Sequence, residues 1–249
     1  LKAVAEALNY ADNLGFIFSA IRHELGNPLN STKMALTVLK RDFYQRSREE
    51  ILKYVDRAFD GISRMENLLY ALKSFSMFDS VAINEIDLRD FIQSGLALIQ
   101  PKLEETGIAL LVDLPSERLP CLADPRALHQ VFLNIVTNAV DALRGRPDPQ
   151  ISISVQASNG IASILVEDNG CGIAEGQTSH LFKPFFTTKP GGTGLGLVIC
   201  KKMMAQMNGT VLINSEQGRG AKVEISLSMS QTKHGELDEI EATCSGGLW

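Results

Sequence analysis

The sequence predicts an α+β protein in two parts. An antiparallel helical hairpin, pairing with a second copy into a dimeric four-helix bundle, precedes a two-layer α/β sandwich. Three observations predict it. Apolar residues recur at helical spacing from Leu14 to about Met77. The period changes after "MFDSVAINEIDL", where strands of alternating polarity interleave with helices. Glycine-rich stretches then follow a strand and precede a helix.

In the first helix Leu14, Ile17 and Ile21 form one stripe, which Leu25, Ala35 and Leu39 extend less regularly. The polar "RDFYQRSREE" reads as the turn. Beyond it Ile51, Val55, Ala58, Ile62, Met65, Leu69 and Leu72 alternate spacings of four and three, a heptad seam that demands a partner helix. Two helices alone leave one side of these stripes open, so a parallel dimer is expected. Pro28 lies inside the first helix, removes one backbone donor, and is expected to bend it locally.

In the second part, residues 86–101 read as a helix, "ALLVDLP" as a strand and "DPRALHQVFLNIVTNAVDAL" as a long helix. "ISISVQAS" and "IASILVEDNG" alternate as an antiparallel pair turning at Asn159-Gly160. A helix, "GLGLVICKKMMAQM", comes next, then strands "GTVLINSE" and "AKVEISLSM" joined by Gln217-Gly218-Arg219-Gly220. The boundary falls between Asp79 and Glu85, giving expected domains of 1–79 and 85–230. The remainder, 231–249, lacks periodicity and reads as a tail.

The chain has 249 residues, 45% hydrophobic and 21% charged, with a net charge of -5, the composition of a folded soluble protein. A mildly acidic surface gives no reason to expect nucleic-acid binding. Cys121, Cys171, Cys200 and Cys244 are scattered without CxxC spacing, which argues against a disulfide framework and fits a reducing compartment. No apolar run reaches the roughly 18 residues of a spanning helix, so a cytoplasmic fragment without membrane contact is expected. The helical pattern is already present at the first residues, which implies an upstream continuation with room for a sensor or membrane segment.

Chemistry-bearing residues fall in five stretches. "IRHELGNPLN" places His23, Glu24 and Asn27 on one helix. The zinc-protease pattern would need His at position 27, and Asn27 is a poor zinc ligand. "LNIVTNAVDA" puts Asn134 and Asn138 one turn apart, two neutral oxygens suited to a magnesium ion already neutralised by phosphates. Asp168 ends a strand, ahead of Gly170 and Gly172, where a carboxylate accepting from an adenine amino group would sit with backbone close to the base. In "GGTGLGL", Gly191, Gly192, Gly194 and Gly196 can present N–H groups to phosphates at a helix head, although the spacing is neither the P-loop's nor G-x-G-x-x-G. "LFKPFFTTKP", with Lys189, suits a mobile lid. The remaining histidines take plainer roles: His129 packing on its helix, His180 beside the lid, His234 in the tail.

Together these stretches resemble the catalytic core of sensor histidine kinases of two-component systems, in the nitrogen-regulator-like branch. "FSAIRHELGNPLN" resembles the H box, "HQVFLNIVTNAVDA" the N box, "VEDNGCGI" the first glycine box, "LFKPFFTTK" the F box and "GGTGLGL" the second glycine box, in order across about residues 14 to 229. The resemblance implies that His23 takes the γ-phosphoryl group of ATP, with Glu24 as its base and Asn27 as a phosphatase residue. It implies Asn134 and Asn138 as the magnesium pair and Asp168 with Gly170 and Gly172 around adenine. Lys189, Gly192, Thr193, Gly194, Leu195 and Gly196 would line the phosphates. The implied partners are a second copy of the chain and the receiver domain of a response regulator.

Two positions depart from the family pattern. Asp141 stands where a basic residue is common, so that phosphate contact is lost, or Lys183, Lys189 or Arg144 supplies it. Ala221 stands where a threonine is common, which removes a hydroxyl near adenine. The competing classes are an inactive dimeric scaffold, which intact His23, Asn134, Asn138 and Asp168 argue against, and an ATPase of the same wider superfamily. The ATPase would be expected to carry an acid in place of Asn134.

Overall fold

The computed structural model describes residues 2–77, 81–189 and 192–230, with side chains from Ile21 to Lys73 in the helical part. The expected tail, with His234 and Cys244, lies outside the described residues, as do Gly191 and the side chains of Leu14 and Ile17. The chain divides into two compact units, Leu1–Asp79 with Ser179–Ile199, and Ser80–Thr178 with Cys200–Trp249.

The helical unit is a hairpin of α1 (Lys2–Asp42) and α2 (Arg48–Met77), joined through a single 3-10 turn, Phe43–Gln45. A reciprocal cap starts α2. Glu50 N–H donates to Ser47 Oγ at 3.2 Å, and Ser47 N–H donates to Glu50 Oε2 at 3.0 Å. Two orphan donors of the first turn are thereby satisfied. α1 runs unbroken through Pro28, which deprives the Glu24 carbonyl of its usual intrahelical donor. The helices approach closely where Gly61 faces Thr32 and the Pro28 carbonyl; a Cβ at position 61 would lie 3.0 Å from that oxygen. Thr32 Oγ1 donates across the gap to the Ala58 carbonyl at 3.5 Å.

The expected seam on α2 is only partly covered within one chain, with Ile51, Val55, Met65 and Leu72 half-buried. Ala58 is buried, but Ile62 is 41% and Leu69 57% exposed, and Gly61, Leu68 and Ala71 are buried instead. Gly61 lets α1 approach closely at Thr32, and the larger Ile62 and Leu69 stay exposed.

The second unit contains a five-stranded mixed sheet in the order β2-β4-β5-β7-β6. Its strands are β2 (Ala109–Asp113), β4 (Gln150–Ser158), β5 (Ile161–Asp168), β6 (Thr210–Glu216) and β7 (Gly220–Ser228). β2 is parallel to β4 and the other pairings are antiparallel. Asn159 and Gly160 take φ of 52° and 76°, the left-handed pair that a two-residue hairpin turn needs. Ile151, Ile153, Ala162, Ile164, Val166, Ile225 and Leu227 are buried at alternate positions, so one sheet face is apolar. The helices α3 (Leu88–Thr106), α4 (Pro125–Ala142) and α5 (Gly196–Gln206) complete the elements. Leu128, Val131, Phe132, Ile135, Val136 and Ala139 give α4 a fully buried stripe.

Two short strands were not evident in the sequence. β1 (Asn84–Asp87) pairs antiparallel with β3 (Pro120–Ala123). The helix expected from residue 86 therefore starts at Leu88, after β1. Each strand delivers an aspartate N-cap: Asp87 accepts from Arg89 N–H at 3.0 Å to begin α3, and Asp124 accepts from Arg126 N–H at 2.9 Å to begin α4.

Candidate functional site

On α1, His23 is largely exposed, with its side chain at 73%. Its Nδ1 lies 3.4 Å from Glu24 Oε1 and 3.5 Å from Asn27 Nδ2. Adjacent helical residues point in different directions, so the Glu24 contact depends on both side chains bending toward each other. The two contacts need different tautomers. Nδ1–H donates to Glu24 and leaves a lone pair on Nε2, whereas Asn27 can donate only to an unprotonated Nδ1.

In the sandwich unit the candidate nucleotide residues follow one line of α4. Asn134, Asn138 and Ala142 are successive i, i+4 positions, each step rising about 6 Å along the helix. Both asparagines are half-buried. The loop after β5 docks at the end of that line: Cys171 N–H donates to the Ala142 carbonyl at 3.1 Å, and Asp168 Oδ1 accepts from Gly170 N–H at 2.8 Å. A Cβ on Gly170 would lie 2.7 Å from the Ala142 oxygen, so only glycine fits. Gly172, with φ of 64°, lies flush against the Glu216 carbonyl, and Gly220 against that of Asp168. The β6–β7 turn closes the other side, Gly218 N–H donating to the Cys171 carbonyl at 2.8 Å.

Three bracing residues carry no sequence signal of their own. Arg146 donates to the Asn169 and Gly218 carbonyls at 3.3 and 3.0 Å. The Asn169 side chain accepts from Gln150 N–H at 2.8 Å and donates to the Asp148 carbonyl at 2.9 Å. Ser215 Oγ accepts from Ile173 N–H at 3.0 Å and donates to the Gly220 carbonyl at 2.7 Å. Ser215 sits opposite Ala221 in the sheet, but its hydroxyl is engaged in holding the loop and does not replace a threonine there. Asp141 pairs with Arg144 at 2.9 Å.

The second glycine stretch falls in the first unit, within Ser179–Ile199. Phe185 takes φ of +64°, unusual for an aromatic residue, and its N–H donates to the Gly194 carbonyl at 3.1 Å. A Cβ on Gly194 would lie 2.6 Å from the Phe185 Cα, so this pair of backbones excludes a side chain. Gly192 N–H donates to the Lys189 carbonyl at 3.1 Å, and the Thr193 hydroxyl accepts from Leu195 N–H at 3.4 Å just ahead of Gly196. His180 packs its ring on Phe186, and His129 stands edge-on to Phe91.

No group of three His, Cys, Asp or Glu side chains gathers as a metal site among the described residues. A cation at Asn134 and Asn138 would take neutral amide oxygens from the protein and its charge balance from phosphate, which fits a magnesium nucleotide.

Comparison with known proteins matches both parts. Residues 13–81 match the His Kinase A (phospho-acceptor) domain, and residues 123–231 match the Histidine kinase-, DNA gyrase B-, and HSP90-like ATPase family. The signal transduction histidine-protein kinase AtoS of Escherichia coli is 30% identical over 87% of this chain and 35% of its own length. The sensor histidine kinase ZraS of Escherichia coli is 29% identical over 88% and 46%. The chain thus spans less than half the length of these relatives. The solved catalytic domain of histidine kinase ThkA is 28% identical, with a TM-score of 0.54 over 59% of this chain and 96% of its own. ThkA in complex with the response regulator protein TrrA, at 23% identity, shares the fold over 89% of this chain and 64% of its own, with a TM-score of 0.73. The chain belongs to the sensor histidine kinases of two-component systems, as a catalytic core that joins a phosphoacceptor helical domain to a magnesium-dependent ATP-binding domain.

Proposed function

We propose that the chain phosphorylates its own His23 from ATP and passes the phosphoryl group to an aspartate of a response-regulator receiver domain. The observation that carries this reading is the exposed His23 imidazole with its Nδ1 beside the Glu24 carboxylate. In that tautomer the Nε2 lone pair attacks the γ-phosphorus, the bond to the β–γ bridging oxygen breaks, and ADP departs. The Nδ1 proton of the resulting imidazolium moves to Glu24, which leaves a neutral phosphohistidine. Magnesium supplies charge neutralisation at the phosphates, and Asn134 and Asn138 would hold it. Asp168 selects adenine across the glycine-bounded loop of Gly170 and Gly172. Lys189, Gly192, Thr193, Gly194, Leu195 and Gly196 form the phosphate-facing stretch.

The domain assignment that goes with this reading is residues 1–79 for dimerisation and phosphotransfer and 85–230 for ATP binding. A second copy completes a four-helix bundle, a reading supported by Met34 at 70%, Phe59 at 65% and Leu69 at 57% exposure on the hairpin. No helix among the described residues is long and apolar enough to cross a membrane, which supports a cytoplasmic place for this part. The contact of Asn27 with His23 supports a second activity, in which Asn27 holds the water that hydrolyses the phosphorylated regulator.

Incubation with γ-labelled ATP and magnesium tests the reading, beside His23→Gln. Acid-labile, base-stable label on the unaltered chain alone is expected. Label that persists in His23→Gln, or ATP binding without label under every condition, would overturn it.

A further inference from the structure

The surroundings of Asn134 hold an arrangement that the family motifs do not account for. Asn134 Nδ2 donates to Cys200 Sγ of α5 at 3.7 Å, and Asn134 Oδ1 accepts from Gln130 Nε2 at 3.0 Å. The Cys200 thiol in turn donates to the Val131 carbonyl at 3.9 Å. Cys200 has no exposure, whereas Gln130 is half-buried, so the nitrogen end of the amide faces the interior and the oxygen end faces the less buried side.

A side-chain amide has two ends of nearly equal shape and opposite hydrogen-bonding sense. A flip of Asn134 would set its N–H against the Gln130 N–H, and its oxygen against a sulfur whose proton already goes to Val131. Gln130 could turn its own amide to follow such a flip, so the orientation is held by the pair together, with the thiol, whose hydrogen lies on Val131, fixing the sense. The thiol is suited to this task because it does both jobs at once, its hydrogen on the Val131 carbonyl at 3.9 Å and its sulfur accepting from Asn134 at 3.7 Å. A cation needs the oxygen of this amide, and an inverted amide would present N–H to it.

We propose that Gln130 and Cys200 are positioning residues that lock the Asn134 amide with its oxygen available to the magnesium nucleotide. The inference rests on the proposed metal role of Asn134 and deepens it. It predicts that loss of either neighbour weakens the use of magnesium while metal-free nucleotide binding is spared.

The test is binding of a fluorescent ATP analogue to the full chain, titrated with magnesium, beside Gln130→Met, Cys200→Val and Cys200→Ser. Gln130→Met and Cys200→Val should raise the magnesium concentration for half-maximal tightening about tenfold, the usual scale for a lost outer-shell partner. Cys200→Ser keeps a group that both donates and accepts, and should stay close to the unaltered chain. Affinity for the analogue in EDTA should be the same in all four. An unchanged magnesium requirement in Gln130→Met and Cys200→Val would overturn the clamp. A parallel loss of binding with and without magnesium, not rescued by Cys200→Ser, would assign Cys200 to packing alone and equally overturn it. If the unaltered chain binds the analogue with no response to magnesium, the metal role of Asn134 falls, and the clamp with it.

Discussion

Asp124 has no exposed surface, yet it carries a charge. Burial pushes its carboxyl up, but the Arg126 guanidinium and the N–H groups of Ala82, Arg126 and Ala127 outweigh that and hold it below the usual carboxylate range. A depressed carboxyl contributes stability that is complete above its unfolded value of about 3.9 and is lost as pH falls through the folded value. Asp124→Asn should therefore melt below the unaltered chain at pH 7, and the gap should narrow in melts taken below about pH 4. Gly170→Ala tests the loop at the opposite end of α4. The added Cβ collides with the Ala142 carbonyl, so nucleotide affinity should fall by at least about tenfold. At this scale the sequence exposed what has local spacing: the Asn134–Asn138 step, Asp168 before two glycines, and His23 beside Glu24. It hid Cys200 and Arg146, because their partners are distant along the chain: Asn134 is 66 residues from Cys200, and Gly218 is 72 from Arg146.

Among the elements, long periodic segments were legible and short ones were not. α4 announces itself through its Asp-Pro start and its buried stripe. The four-residue strands β1 and β3 are too short for alternation to register, and only their pairing reveals that each launches a helix. Which face of α2 meets α1 was hidden for the same reason. Spacing identifies a stripe, but which of two adjacent stripes meets α1 depends on how close the backbones come, and Gly61 decides that. Gly61→Ala should destabilise the hairpin by about 1–3 kcal/mol, measured by chemical denaturation of the helical signal. Phe185 presents the opposite case, an aromatic side chain on a backbone that favours glycine. Phe185→Gly should leave thermal stability unchanged or slightly raised, by under about 2 kcal/mol, because it relieves that strain.

At the scale of the whole molecule, the outward-turned Ile62 and Leu69 predict self-association. Ile62→Asp combined with Leu69→Asp should shift sedimentation equilibrium toward monomer while the circular dichroism of the sandwich is retained. Two compact units also imply that unfolding need not be a single step, so calorimetric and spectroscopic transitions should be compared before any one stability value is assigned.

The sorting of the thiols has a practical result. Cys171 is exposed on the loop against the end of α4, whereas Cys121 and Cys200 are fully enclosed and their thiols are pushed up to about 11 and about 12. With Cys244 replaced by serine, a maleimide should take one equivalent at Cys171 within seconds and then stop. Further uptake would have to wait for β3 or α5 to come loose. The slow alkylation rates would thus time the opening of two separate regions of the native protein, read by mass spectrometry without any added probe.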